Sequence, residues 1–163
     1  MTILELDIIL KDLLYDAKSN SWKTGRIAPR EDGLHGEMQM SDDGMDTKVA
    51  ARLMLEGFAQ LQDLLKDFRT TDTSQDNTFN TPQDIIDALE FDDYWGIRLQ
   101  NVPERNNATA DEIDVMGHDY VLAYVMAGWY KLVDPARQAS WEAKRQDAAL
   151  RLVSALRYKQ KLD

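Results

Sequence analysis

Two helical signals sit back to back in the last third of the chain and constrain its fold most. Thr109 caps the first, with Glu112 in the capping-box position three residues on. Asp134-Pro135 then breaks it and starts the second, since proline is favoured in a first helical turn and barred from a helix interior. Ile113, Met116, Tyr120, Tyr124 and Ala127 follow one face of the first helix, and Val121, Leu122, Val125 and Trp129 widen it. An arc that broad predicts a central helix with neighbours on two sides. In the second helix Trp141, Ala148, Leu152 and Ala155 mark a face that Val153 and Leu156 extend. A connection this short favours antiparallel packing, giving a C-terminal helical hairpin over 110–161.

Length and composition bound the rest. At 163 residues the chain suits one domain with a real core, so 1–163 is read as a single helical domain. The 44% hydrophobic content and four tryptophans oppose general disorder. With no cysteine there is no disulfide framework, thiol nucleophile or thiolate metal site. No stretch approaches the roughly 20 apolar residues of a membrane span. Glu5 and Asp7 interrupt the N-terminal apolar run, unlike the basic start of a secretory signal. A cytoplasmic product without membrane association is the expectation.

Upstream, the chain is read as further helices with one β element. Thr2 and Glu5 form a capping box, and Ile3, Leu6, Leu10, Leu13 and Ala17 recur at helical spacing, predicting a first helix over 3–17. Between Trp22 and Met40 the pattern alternates around Arg30-Glu31-Asp32-Gly33, which predicts a β-hairpin arm at 22–40. Met54, Phe58, Leu61, Leu65 and Phe68 make a 4-3-4-3 stripe and predict a long helix over 46–68. Gly57 inside it fits the close approach of another helix. Thr81-Pro82 with Asp84 starts a short helix toward Phe91, and Trp95–Val102 reads as a small strand with Ile97 and Leu99 on one side. The fold class is therefore mainly α, a helical bundle with a small β-hairpin.

Charge is unevenly spread along the chain. The net charge is −10, and residues 70–109 hold eight acids against two bases, while 110–163 balance eight against eight. Phosphate neutralisation needs concentrated cations, so no specific nucleic acid is expected as a partner. Arg151, Arg157, Lys159 and Lys161 nonetheless make the C-terminal end basic, complementary to an acidic neighbour in a head-to-tail assembly.

The residues offer little for catalysis. His35 and His118 are the only imidazoles and lack metal-ligand spacing. Asp72, Ser74, Asp76, Thr78 and Asn80 alternate like a calcium loop, but Asn77 stands where the turn needs glycine and Gln83 where it needs a bidentate acid. Glu90-Phe91-Asp92-Asp93 and Asp111-Glu112-Ile113-Asp114 supply two carboxylate clusters. If they converged they would suit a magnesium-dependent, all-α nucleotide hydrolase, the alternative reading. No catalytic, cofactor or metal residue is assigned. The interface candidates are Trp22, Ile27, Met38 and Met40 in the arm, with Arg157, Lys159 and Lys161 at the basic end.

Tyr124, Ala127, Trp129 and Tyr130, the break at Asp134-Pro135, and an alanine-rich helix closing with Leu152, Leu156 and Arg157 form a further pattern. Together with Leu13-Leu14-Tyr15-Asp16 leading into Ser21-Trp22 and Gly25-Arg26, it resembles prophage-encoded head–tail connector or adaptor proteins. The resemblance implies a helical bundle bearing a β-arm, assembled as a ring at the portal or neck of a virion. It carries over no catalytic residues. The expected function is a non-catalytic structural or interaction protein, partnered by its own copies or by portal and neck proteins, in the cytoplasm or the virion.

Overall fold

The structure, a computed structural model, describes residues 2–27, 39–41, 44–102 and 110–157. Among them are two strands, five α-helices and two short 3-10 turns: β1 (Thr2–Ile9), α1 (Leu10–Ile27), α2 (Gly44–Leu64), α3 (Pro82–Leu89), β2 (Tyr94–Val102), α4 (Ala110–Val133) and α5 (Gln138–Arg157), with 3-10 turns at Lys66–Phe68 and Pro135–Arg137. The fold is mainly helical with a small two-stranded antiparallel sheet. No helix among the described residues is long and apolar enough to cross a membrane.

The sheet joins distant parts of the chain. Leu4, Leu6 and Ile8 of β1 stand opposite Leu99, Ile97 and Trp95 of β2. All but the partly buried Leu4 are buried. Ile3, Glu5, Asp7 and Ile9 face outward, as strand alternation requires. This corrects the expected helix over 3–17. Leu6, Leu10, Leu13 and Ala17 are all buried, but Ile3 is 57% exposed. The first eight residues carry both a three-to-four and a two-residue period, and β2 is the partner that makes the second one win.

α1 accordingly starts at Leu10 and runs on to Ile27. The arm expected at 22–40 is thus helical over Trp22–Ile27, because the helix begun at Leu10 continues through these residues. Residues 28–38 lie outside those described. Where the chain is described again, Met40 is fully buried and its amide donates to Ser21 Oγ at 2.9 Å. That hydroxyl donates in turn to Lys18 O at 2.7 Å. Ser21, itself completely buried, thereby docks the 39–41 segment against α1.

α2 carries the expected stripe into the core, with Met54, Phe58, Leu61, Leu65 and Phe68 all buried; Phe68 lies in the 3-10 turn that follows the helix. A Cβ at Gly57 would lie 3.1 Å from Val121 Cγ1 and 3.3 Å from Tyr124 Cδ1, so the glycine marks where α4 crosses closely. Phe58 stacks on Trp95 with centroids 4.9 Å apart and planes 5° from parallel, locking α2 to the sheet. At α3, Thr81 Oγ1 accepts from the Asp84 amide and the Asp84 carboxylate accepts from the Thr81 amide, both at 3.1 Å, with Pro82 first in the helix. The sequence-predicted capping residues work as expected.

α4 is the central helix, packed against α2, α5, β1 and α1. Tyr120, Val121, Val125, Trp129 and Tyr130 are buried along it. α4 and α5 form the expected C-terminal hairpin, joined through the Pro135–Arg137 turn, where Arg137 Nε binds Asp134 Oδ2 at 2.7 Å. Trp141 is only partly buried and carries Lys144 Nζ 4.0 Å above its ring.

Replacing Ser21 by alanine leaves the Met40 amide buried without its acceptor. The expected loss is about 1–3 kcal/mol, measured by urea denaturation of Ser21→Ala against the unmodified protein.

Candidate functional site

The strand-to-helix junction at Ile9-Leu10 builds a corner on the surface. Its position is held by the Leu10 amide, which donates to Asp93 O at 3.2 Å just before β2 begins. β1 brings Asp7, Ile8 and Ile9 to this corner, the first two turns of α1 bring Asp12, Tyr15 and Asp16, and Asp92 and Tyr94 close the sheet end. α4 supplies the opposite wall with Asp114, Val115, His118 and Asp119. Together they enclose an open cleft of about 840 Å³.

Its walls mix carboxylates with apolar groups left facing water. Tyr15 is 72% exposed, Val115 58%, Ile9 48% and Tyr94 42%. Among the described residues, six aspartates line the cleft and His118 is the single lining side chain able to carry positive charge. Trp22 lies seven residues beyond Tyr15, on the same face of α1, and is half exposed. The aromatic line therefore continues out of the cleft for about 10 Å along that helix.

Several of these acids are held in place by the fold. His118 Nε2 meets Asp16 Oδ2 at 2.7 Å, tying α4 to α1. The Asp7 amide, pointing off the free edge of β1, donates to Asp114 Oδ1 at 2.9 Å. The Asp7 carboxylate lies over Gly96, whose missing side chain makes room for it. Lys11 Nζ reaches Asp92 Oδ1 at 2.7 Å, a largely exposed pair that contributes little stability. Asp92 itself adopts φ 53°, a left-handed conformation that aspartate tolerates better than most side chains.

Crowding shifts the proton affinities. Burial, followed by the nearby charges of Glu5 and Asp114, pushes the Asp7 carboxyl from 3.8 up to about 6. Asp114 is also raised, chiefly by burial, with the Asp7 amide opposing the shift and Asp111 and Glu5 adding to it. A cation brought into the cleft would relieve this repulsion.

The structure distributes the sequence-predicted residues unevenly. Trp22 stands on the exposed face just described, and Ile27 is the last residue of α1. Met40 is fully buried, so its side chain serves this chain's core and is not available to a partner. Arg157 is exposed at the end of α5, 3.4 Å from Asp67 and over the Phe68 ring. Met38, Lys159 and Lys161 lie outside the described residues. Of the two carboxylate clusters, Asp92 and Asp114 do reach the same cleft. Asp93 instead accepts from Asn77 Nδ2 at 3.0 Å and from the Tyr94 amide at 2.8 Å. Among the described residues, no group of three or more acids and histidines is placed to hold a metal ion. In the polar loop, Asp76 accepts from Arg69 Nη2 and the Arg98 amide, both at 2.9 Å, pinning the loop to β2.

Asp7, Asp12 and Asp16 escaped the sequence reading as a site. A helix over 3–17 would have put Asp7 on the face opposite Asp16, whereas a strand that turns into a helix at Leu10 brings Asp7 to the same corner as Asp12 and Asp16. Comparison with protein-family models, curated proteins and solved structures yields no match.

The Asp7 shift has a definite consequence for stability. Asp7 binds its proton more tightly folded than unfolded, so its contribution is complete below pH about 4 and is lost as pH rises through about 6. Asp7→Asn should therefore flatten the stability profile across that window and stabilise the protein above it. Solvent screening around the half-exposed carboxyl limits the gain to about 1 kcal/mol. Urea titrations of both proteins on either side of the window measure it.

Proposed function

We propose that this chain is a non-catalytic structural or interaction protein that assembles with other protein chains, and that it serves as a head–tail connector or adaptor subunit of a prophage virion. The observation that carries the interaction reading is the cleft at the β1–α1 corner. Isolated exposed apolar residues are ordinary on any surface, but a connected set beside a concavity is characteristic of contact sites. Tyr15, Tyr94, Ile9 and Val115 form such a set, and Trp22 extends it along α1. Aromatic side chains supply much of the energy in buried interface centres. The aromatic hairpin of α4 and α5, by contrast, spends most of its apolar surface inside the domain, with Tyr120, Trp129 and Tyr130 buried. The connector assignment rests on the resemblance carried by Tyr124–Arg157 and by the Leu13–Arg26 opening, and it places the protein in a ring at a portal or neck.

The hydrolase reading draws on the meeting of Asp92 and Asp114 in the same cleft. It requires magnesium-dependent turnover of a nucleotide that disappears in Asp114→Asn. Hydrolysis of any member of a broad nucleotide panel with that dependence would displace the interaction reading.

The interaction reading expects concentration-dependent association. Light scattering over a hundredfold range of protein should show a rising mean mass, with Trp22→Ala shifting the midpoint to at least tenfold higher concentration (about 1.4 kcal/mol). A monodisperse monomer throughout, unchanged by the substitution, rules out self-assembly.

A further inference from the structure

We infer that the cleft is one half of a head-to-tail contact, and that its occupant is the basic C-terminal segment of a second copy of this chain. The inference rests on the interaction reading above and names the segment that would fill the site.

The apolar walls call for a ligand with apolar side chains, and the charge calls for cations. Among the described residues the cleft is lined by six aspartates against His118; of the cations beside it, Lys11 is engaged with Asp92, and Arg151 pairs with Asp147 while acting on Asp119. Asp12, exposed on the first turn of α1, leaves a carboxylate turned to water at the mouth. Residues 157–162 read Arg-Tyr-Lys-Gln-Lys-Leu, which interleaves three cations with a tyrosine and a leucine. That composition complements the walls in both respects: ammonium and guanidinium groups for the aspartates, Tyr158 and Leu162 for Tyr15, Ile9 and Val115. Burial, followed by the charges of Glu5 and Asp114, disfavours the ionised Asp7 carboxylate, so a cation arriving beside it is stabilising.

The direction of α5 favours a second copy as the donor. Arg151 acts on the charge of Asp119 at the cleft wall, but six residues later Arg157 sits at Asp67 and Phe68. That turn abuts the Leu99 end of the sheet through the Arg69–Leu99 bridge, whereas the cleft opens at the opposite end, where Ile9 pairs with Tyr94. Arg157, the last described residue of α5, thus lies at the far end of the sheet from the cleft. The Arg157–Asp67 pair, with both side chains more than 60% exposed, is weak enough to exchange for a partner's carboxylates.

The experiment uses the full-length chain and a fluorescent synthetic peptide of residues 157–163, followed by anisotropy. The peptide should bind, with affinity falling at least tenfold between low and high salt, and Asp12→Lys should weaken it at least tenfold. A peptide carrying Lys159→Glu and Lys161→Glu should fail on the unmodified protein and recover on Asp12→Lys, a rescue that misfolding does not produce. In the full chain, the same two lysine substitutions should suppress concentration-dependent association. Absence of peptide binding while the chain still associates in a Trp22-sensitive manner overturns the tail-in-cleft contact and leaves the assembly reading standing. A chain that is monomeric at every concentration overturns both. Association that survives loss of the two lysines overturns the contact alone, as does equal binding of the acidic peptide.

Discussion

Trp95 is the residue on which the rest of the structure depends. Its ring stacks on Phe58 of α2, and its backbone position stands opposite Ile8 of β1 in the sheet. Phe58, Trp95 and Ile8 are all but fully buried, so three segments remote in sequence meet at one apolar point. Burying rings of this size contributes a few kcal/mol each, and stacked aromatic pairs add a fraction more. The stack orients α2 against the sheet, α2 crosses α4 at Gly57, and α4 carries α5. A two-stranded sheet alone is marginal in water. Here the helices covering its inner face supply the burial that the strands lack.

The same arrangement produces the cleft. Because the inner face of β1 is committed to Trp95, Ile97 and Leu99, the outward residues Asp7 and Ile9 must face the surface beside α4. α1 leaves the strand without an intervening loop, which holds Asp12, Tyr15 and Asp16 next to them. The cleft is thus a by-product of strand alternation followed directly by a helical turn. Burying these carboxyls, with neighbouring negative charge adding to the effect, raises the free energy of the fold, visible in the upward shifts of Asp7 and Asp114. Structures keep such unfavourable groupings more often where a ligand compensates them, although ion networks of no function also perturb proton affinity.

Local signals were legible wherever one element's own residues decide its form. The Thr81–Asp84 cap, the Met54–Phe68 stripe, the Asp134-Pro135 break and the Ile97/Leu99 side of β2 all read correctly, because capping, helical spacing and alternation act over a few residues. Reading failed at Thr2–Ile9, whose apolar residues satisfy two periods at once, and at Trp22–Ile27, where a helix outran its expected end. Met40 was unreadable for a related reason: its burial depends on a hydrogen bond to Ser21 that no local pattern announces. Tyr124 and Trp141 looked like core and are only partly buried: Tyr124 meets Glu56 and Arg145, and Trp141 lies under Lys144.

By itself, then, the sequence determined a mainly helical chain with an α4–α5 hairpin, a central apolar helix and an acidic surface. These follow from spacing, capping and charge, which are properties of neighbours along the chain. Only the tertiary structure decided that the first segment is a strand and that six aspartates, from β1, α1, α4 and the turn before β2, line one cleft. Both depend on β1 meeting β2 across some ninety residues. The partner that selects between two periodicities lies far away in sequence, so the choice is made by packing and not by propensity.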